Sequence, residues 1–145
     1  MSLHVAVSVE GTRIPLSRER VAGVAKAVLR AEKVRDALLS VTFVSRRAIT
    51  ALNRRHLRRN RPTDVIAFGL GAQGRRGPVV GDVYISPDAA RASAAANGVG
   101  VREELVRLIV HGTLHALGHE HPETDARTAS PMWKRQEQLV KRLRD

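Results

Sequence analysis

No cysteine occurs anywhere in this chain of 145 residues. That excludes disulfide frameworks and thiolate metal sites, and it fits a reducing compartment. Aromatic residues make up only 3% of the chain, which argues against RNA recognition by stacking bases on a Phe/Tyr sheet platform. No apolar run approaches the roughly 18 residues of a membrane-span candidate, and no charged-then-apolar leader opens the sequence. These absences predict no membrane span, no secretory signal and a cytoplasmic location. Acidic residues are the scarcer sign, with 14 Asp and Glu against 25 Lys and Arg, for a net charge of +11. A basic excess of that size predicts a polyanionic partner, nucleic acid first. Genomic base composition explains arginine in place of lysine, but not the excess of basic over acidic residues. The length suits a single domain, 1–145, with a real core, and neither an internal repeat nor a domain boundary is visible.

What the chain does have is histidine, concentrated in one place. Four of its six histidines fall within His111-Gly-Thr-Leu-His115-Ala-Leu-Gly118-His119-Glu120-His121. His111 and His115 are four residues apart, so on a helix both imidazoles project from one face and can reach one metal ion. Gly118 is placed to end that helix in a left-handed conformation and turn the chain back, which would deliver His121 as a third ligand. Three neutral nitrogens with an open fourth position describe a catalytic zinc site, one ion per chain. His119 continues the i, i+4, i+8 row and competes with His121 for the third position; a helix ending near Gly118 would swing it off the face. Glu120 is a candidate hydrogen-bond partner for a ligand imidazole. The spacing is that of metzincin metalloproteases, which carry a catalytic Glu directly after the first His. Here that position is Gly112, so the metal scaffold is present and the protease base is missing.

The remaining elements follow from periodicity and caps. Leu3 to Val9 alternates and reads as a half-buried strand. Ser17 caps a helix running to about Glu32, Leu38 to Val44 reads as a second strand, and Ser45 caps a second helix with Ile49 and Leu52 facing inward. That helix and its exit carry Arg46, Arg47, Arg54, Arg55, Arg58, Arg59 and Arg61 with no acidic residue among them. Unrelieved like charge destabilises a helix, so this stripe predicts an anionic partner. Pro62-Thr63-Asp64 stops the helix, and Val65 to Phe68 reads as a strand short enough to be central and buried. Gly69 to Pro78 reads as a flexible loop, and Val79 to Ile85 as another strand. Ser86-Pro87-Asp88 opens a helix that Gly98 ends. The histidine helix starts near Val101, with Glu103, Glu104 and Arg107 exposed on its first half. From Leu108 to Leu117 it is apolar or small on all sides apart from the histidines, and should be buried. A last helix follows Pro131.

Together these residues resemble a known family, the YbeY-type bacterial endoribonucleases, single-domain zinc proteins linked to ribosomal RNA maturation. The resemblance rests on Leu52-Asn53, Pro62-Thr63-Asp64-Val65, Gly81-Asp82 with Ile85-Ser86, the His111-Gly-x-Leu-His115-x-x-Gly118-x-x-His121 signature, and Met132 and Glu137 in the last helix. It covers most of the chain from about Leu52 onward. It implies an α+β fold, a small mixed four-stranded sheet with surrounding helices and a central buried metal-binding helix. It also implies zinc ligation by His111, His115 and His121, cleavage of single-stranded RNA in ribosomal RNA maturation and ribosome quality control, and ribosomal RNA and ribosomal subunits as partners. The sequence departs from the family in two blocks. His56-Leu57 stands where the family usually has Tyr-Arg, an arginine tied to cleavage, which makes Arg58 and Arg59 the candidates for phosphate or transition-state contacts. Ile66-Ala67-Phe68-Gly69 stands for Leu-Ser-Phe-Pro. The rival reading is an RNA-binding ribosome-assembly factor that zinc stabilises but that does not cut; a peptidase is disfavoured by Gly112 and by the basic surface.

Overall fold

A computed structural model describes residues 2–57, 64–69, 78–119 and 130–144. Strand β1 (Leu3–Glu10) leads through helix α1 (Arg18–Ala31) to β2 (Ala37–Val44), which pairs with it in parallel. Parallel pairing needs such a crossover, and α1 supplies it. Helix α2 (Arg46–Leu57) follows, then β3 (Val65–Gly69) and β4 (Val79–Ile85). β4 lies parallel to β2 and antiparallel to β3, so the sheet is mixed, with strand order β1-β2-β4-β3. Helices α3 (Pro87–Asn97), α4 (Val101–Ala116) and α5 (Pro131–Leu143) complete the chain. Serine caps set the helix starts: Ser17 accepts from the Arg20 amide, Ser45 from Ala48, Ser86 from Ala89 and Ser130 from Trp133.

The two faces of the sheet are covered unequally. On one face Leu39, Val41, Phe43, Val83 and Ile85 pack with α1 and α4 into the main core. Alternation sends Val44, Ile66, Phe68 and Tyr84 to the other face, where Ile49 and Leu52 of α2 meet them in a smaller cluster. The expected central placement of the Val65–Phe68 strand is corrected: β3 is an edge strand. Its apolar run has another cause. α4 covers one of its faces and α2 the other, so an edge strand here needs apolar residues on both sides.

Helix α4 is the hub, in contact with α1, α3, α5, β3 and β4. Its second half is buried as expected, with Leu108, Ile109, Val110, Leu114 and Ala116 all in the core. The expected exposure of its first half is corrected at Glu104, which is 5% exposed, and at Glu103 and Arg107, which are half-buried. The reason is α5. It packs against α4 and brings Glu137 to Arg107, whose guanidinium also reaches Glu103 and Glu104. Among the described residues no helix is long and apolar enough to cross a membrane.

Candidate functional site

The site is built on the last turns of α4, and the sequence explains how that helix comes so close to the sheet. Gly112 faces β3 and β4. A Cβ added there would stand 2.4 Å from Val83 Cγ1 and 3.1 Å from Val65 Cγ2. The position that holds the base of a metalloprotease is therefore a packing contact in this protein, with no room for a glutamate. Helix–sheet packing removes the peptidase reading from the inside.

His111 and His115 flank this contact on one helical face. Their rings meet edge to face, with centroids 4.7 Å apart and planes at 70°. Both side chains are half-buried. His111 Nδ1 lies 2.6 Å from Oε1 of Gln136, which is itself 1% exposed. A glutamine carbonyl oxygen only accepts, so Nδ1 carries a hydrogen and donates it to Gln136. Gln136 is fixed in turn: its amide donates to Glu137 Oε2 at 2.9 Å, and Arg107 Nε donates to the same oxygen at 3.0 Å. Arg107 also donates to Glu104 at 2.9 Å, and Ser93 donates to Glu104 at 2.8 Å. A continuous polar chain thus runs from the histidine ring across α5 back to α3. Burial opposes ionisation of Glu137, but the hydrogen bonds from Arg107 and Gln136 outweigh it and hold the carboxyl below its usual range. The hydrogen bond to Glu137 does most to raise the Arg107 guanidinium above its ordinary value, against desolvation.

The helix ends as its glycine dictates. Gly118 has φ +100°, its amide donates to the His115 carbonyl at 2.9 Å, and the His119 amide donates to the Leu114 carbonyl at 3.0 Å. That pair of bonds is a Schellman motif, which satisfies two helix-end carbonyls while reversing the chain. His119 leaves the face of His111 and His115: its Nε2 lies 2.7 Å from Glu32 Oε1, and Arg135 holds the other Glu32 oxygen at 2.9 Å. His121, Glu120, Arg58, Arg59, Arg61, Pro62, Thr63 and the glycine-rich stretch 70–77 lie outside the described residues. Among the described residues no group of three or more His, Cys, Asp or Glu is placed to hold a metal.

Of the arginine stripe, Arg46, Arg47, Arg54 and Arg55 are exposed on α2. They sit across the sheet from α4, because α2 packs on the Ile66/Tyr84 face. Asp64, at the far end of the segment that contains Arg58 and Arg59, returns to the histidine side. It lines a cavity of about 460 Å³ together with His111, Gln136, Trp133, Asn97 and Arg107. The sequence reading missed Gln136 and Trp133. A signal for the first was available: Met132, Gln136, Leu139 and Val140 form the buried stripe of α5, and one amide in an otherwise apolar stripe needs a polar partner.

A mixed four-stranded sheet carrying a buried central helix, with two histidines one turn apart near a cavity, defines an α+β domain with a histidine-bearing cleft. The comparisons name it. A profile for Endoribonuclease YbeY matches residues 7–144. The Endoribonuclease YbeY of Syntrophus aciditrophicus is 32% identical over 142 residues, covering 96% of this chain and 89% of its own. That of Geobacter sulfurreducens is 34% identical over 140 residues, covering 94% and 93%. The chain belongs to the Endoribonuclease YbeY family. The fold agrees with the solution structure of TM1509 from Thermotoga maritima, with a TM-score of 0.60 at 24% identity over 97% of this chain and 89% of that one.

Proposed function

We propose that this chain cuts single-stranded RNA as a zinc-dependent endoribonuclease, acting in the cytoplasm in ribosomal RNA maturation and ribosome quality control, with ribosomal subunits as its setting. The observation that carries the reading is the orientation of His111. A buried amide holds Nδ1 and so fixes the plane of the ring, one turn from His115 and in the wall of the cavity. Metal-ligating histidines are held this way by a hydrogen bond to the other ring nitrogen. His111, His115 and His121 would hold one zinc ion, and the reversal at Gly118 supports the third. Two imidazoles and a neutral amide behind them suit a borderline-soft cation that takes nitrogen ligands.

Zinc bound there supplies Lewis-acid polarisation of a phosphodiester and acidified water near neutral pH. The protein's own residues do the rest. Gln136 and the Glu137–Arg107 pair behind it lock the ring of His111 and keep its proton on Nδ1. Arg107, with three carboxylate partners, is a structural cation and not a substrate contact. Phosphate and developing negative charge fall to Arg58 and Arg59, on the segment that ends at Asp64 in the cavity wall. The attacking group is water or the RNA's own 2′-OH, and the two routes leave different product ends. Leu57, in place of the family's usual arginine, favours the second reading, an assembly factor that binds RNA without cutting it. Incubating zinc-loaded and metal-stripped protein with unstructured RNA and with a peptide library separates these. Zinc-dependent RNA fragments support the proposal, RNA binding without fragments supports the assembly factor, and peptide products would overturn both.

A further inference from the structure

Where α4 ends, three elements meet over a carboxylate. Glu32 is the C-cap residue of α1, and its side chain is 15% exposed. One of its oxygens lies 2.7 Å from His119 Nε2, just past the turn that ends α4. The other accepts from Arg135 Nε of α5 at 2.9 Å. Arg135 also donates from Nη2 to the Ala31 carbonyl at 3.2 Å, so the cation is anchored to the same helix end as the carboxylate. The backbone beneath is fixed as well. Lys33, at φ +63°, ends α1 in a conformation that residues other than glycine seldom adopt. Its amide donates to the Arg30 carbonyl and the Val34 amide to that of Leu29, the same pairing that closes α4. Two helix ends closed in the same way are thus bridged by Glu32 and His119.

The bridge decides what His119 can do. In sequence it continues the row of His111 and His115 by one further turn and competes for the same metal. A carboxylate oxygen only accepts, so Nε2 carries the hydrogen it donates to Glu32 and has no lone pair for a cation. His111, His115 and His119 accordingly do not converge as a three-ligand group. Gly118 alone would not ensure this. Its reversal sets where the backbone goes, whereas the direction of the imidazole is set by its partner. Resting on the zinc reading, we infer that Glu32 is a positioning residue: braced by Arg135, it holds His119 out of the metal centre, so that His121 and not His119 completes the site. A histidine-rich turn otherwise offers the ion two competing third ligands, and a site with two ligand sets is not held in one geometry.

The test removes the third ligand and asks whether a substitute can be released. Cobalt in place of zinc reports the ligand set through its visible absorption, and zinc affinity is read by chelator competition. The parent, His121→Ala, His121→Ala with Glu32→Ala, and His121→Ala with Glu32→Gln are compared, each shown to fold by circular dichroism. The parent should bind one ion, and His121→Ala should bind it more than about tenfold more weakly. Adding Glu32→Ala should free His119 as the substitute ligand, recover about tenfold in affinity and restore a parent-like cobalt spectrum. Glu32→Gln, whose carbonyl oxygen still accepts from Nε2, should recover little. Adding His119→Ala to the rescued variant should remove the gain. Recovered affinity is a gain that damage to the fold cannot produce, and Glu32→Ser serves as a second release variant. No recovery with either release variant, or a recovery that survives His119→Ala, overturns the role of Glu32 and leaves the zinc reading standing. A His121→Ala protein that binds zinc as the parent does overturns that role too. A parent that binds neither ion overturns both.

Discussion

Gly112→Ala measures how tightly α4 is pressed into the sheet. In an exposed helix, alanine for glycine would stabilise by about 1 kcal/mol. Here the new methyl would lie 2.4 Å from Val83 Cγ1 and 3.1 Å from Val65 Cγ2, so the stiff β-branched side chains or the helix itself must shift. Overpacking of this kind costs typically about 1–3 kcal/mol and occasionally more, so it exceeds the propensity gain and the net change is destabilising. For a domain of this length each kcal/mol corresponds to about 3 °C in Tm. A drop of several degrees in thermal melts followed by circular dichroism is the expected result. The remedy is equally specific. Val83→Ala removes the clashing methyl, so the double variant should be more stable than the two single losses added together, by about 0.5–3 kcal/mol of coupling. Additive losses, or a Gly112→Ala protein as stable as the parent, would refute the claim that packing dictates glycine beside the first histidine. Because the same shift moves His111, zinc affinity measured by chelator competition should fall in Gly112→Ala and recover in the double variant.

Three further outcomes follow from the geometry. Gln136→Leu should weaken zinc binding by about 10–100-fold in chelator competition, since the ring of His111 loses its anchor; unchanged affinity would show that the 2.6 Å contact does not orient a ligand. Arg58→Ala with Arg59→Ala should flatten the dependence of log affinity for single-stranded RNA on log salt by about one to two units, at about 0.7 per phosphate, and an unchanged slope would return these residues to mere surface charge. Glu137 has its pKa lowered in the folded protein, so the stability it contributes is present above the unfolded carboxylate value of about 4.3 and is lost as pH falls through the lower folded value. Glu137→Gln should therefore lose stability near neutral pH and show a shallower acid limb in urea melts, whereas parallel limbs would place the acid sensitivity elsewhere.

Much of this was legible in the sequence because the signals are local. Ser17, Ser45 and Ser86 mark helix starts by cap chemistry, and the two histidines on one face of α4 need only the helical repeat. What was not legible depends on what packs where. Val65–Phe68 is apolar on both sides whether a strand is central or an edge sandwiched between helices, and only the sheet order decides. Glu104 and Arg107 follow a pattern that suits an exposed helix face, and it is α5, arriving from a distant part of the chain, that covers them. Gln136 lies 25 residues from His111, so no local motif couples them. Gly112 illustrates the same limit from the other side: the missing glutamate was visible, and the reason for the glycine, Val83 and Val65 on neighbouring strands, was not.

The most direct measurement is cleavage of an unstructured, end-labelled RNA by the zinc-loaded protein, by the same protein after confirmed metal removal, and by His111→Ala and His115→Ala variants shown to fold. Fragments that appear with zinc, vanish on removal, return on reloading and are absent from both variants are the expected result. Cleavage that survives both metal removal and loss of the two histidines, or an intact RNA that the zinc-loaded protein binds but never cuts, would contradict it.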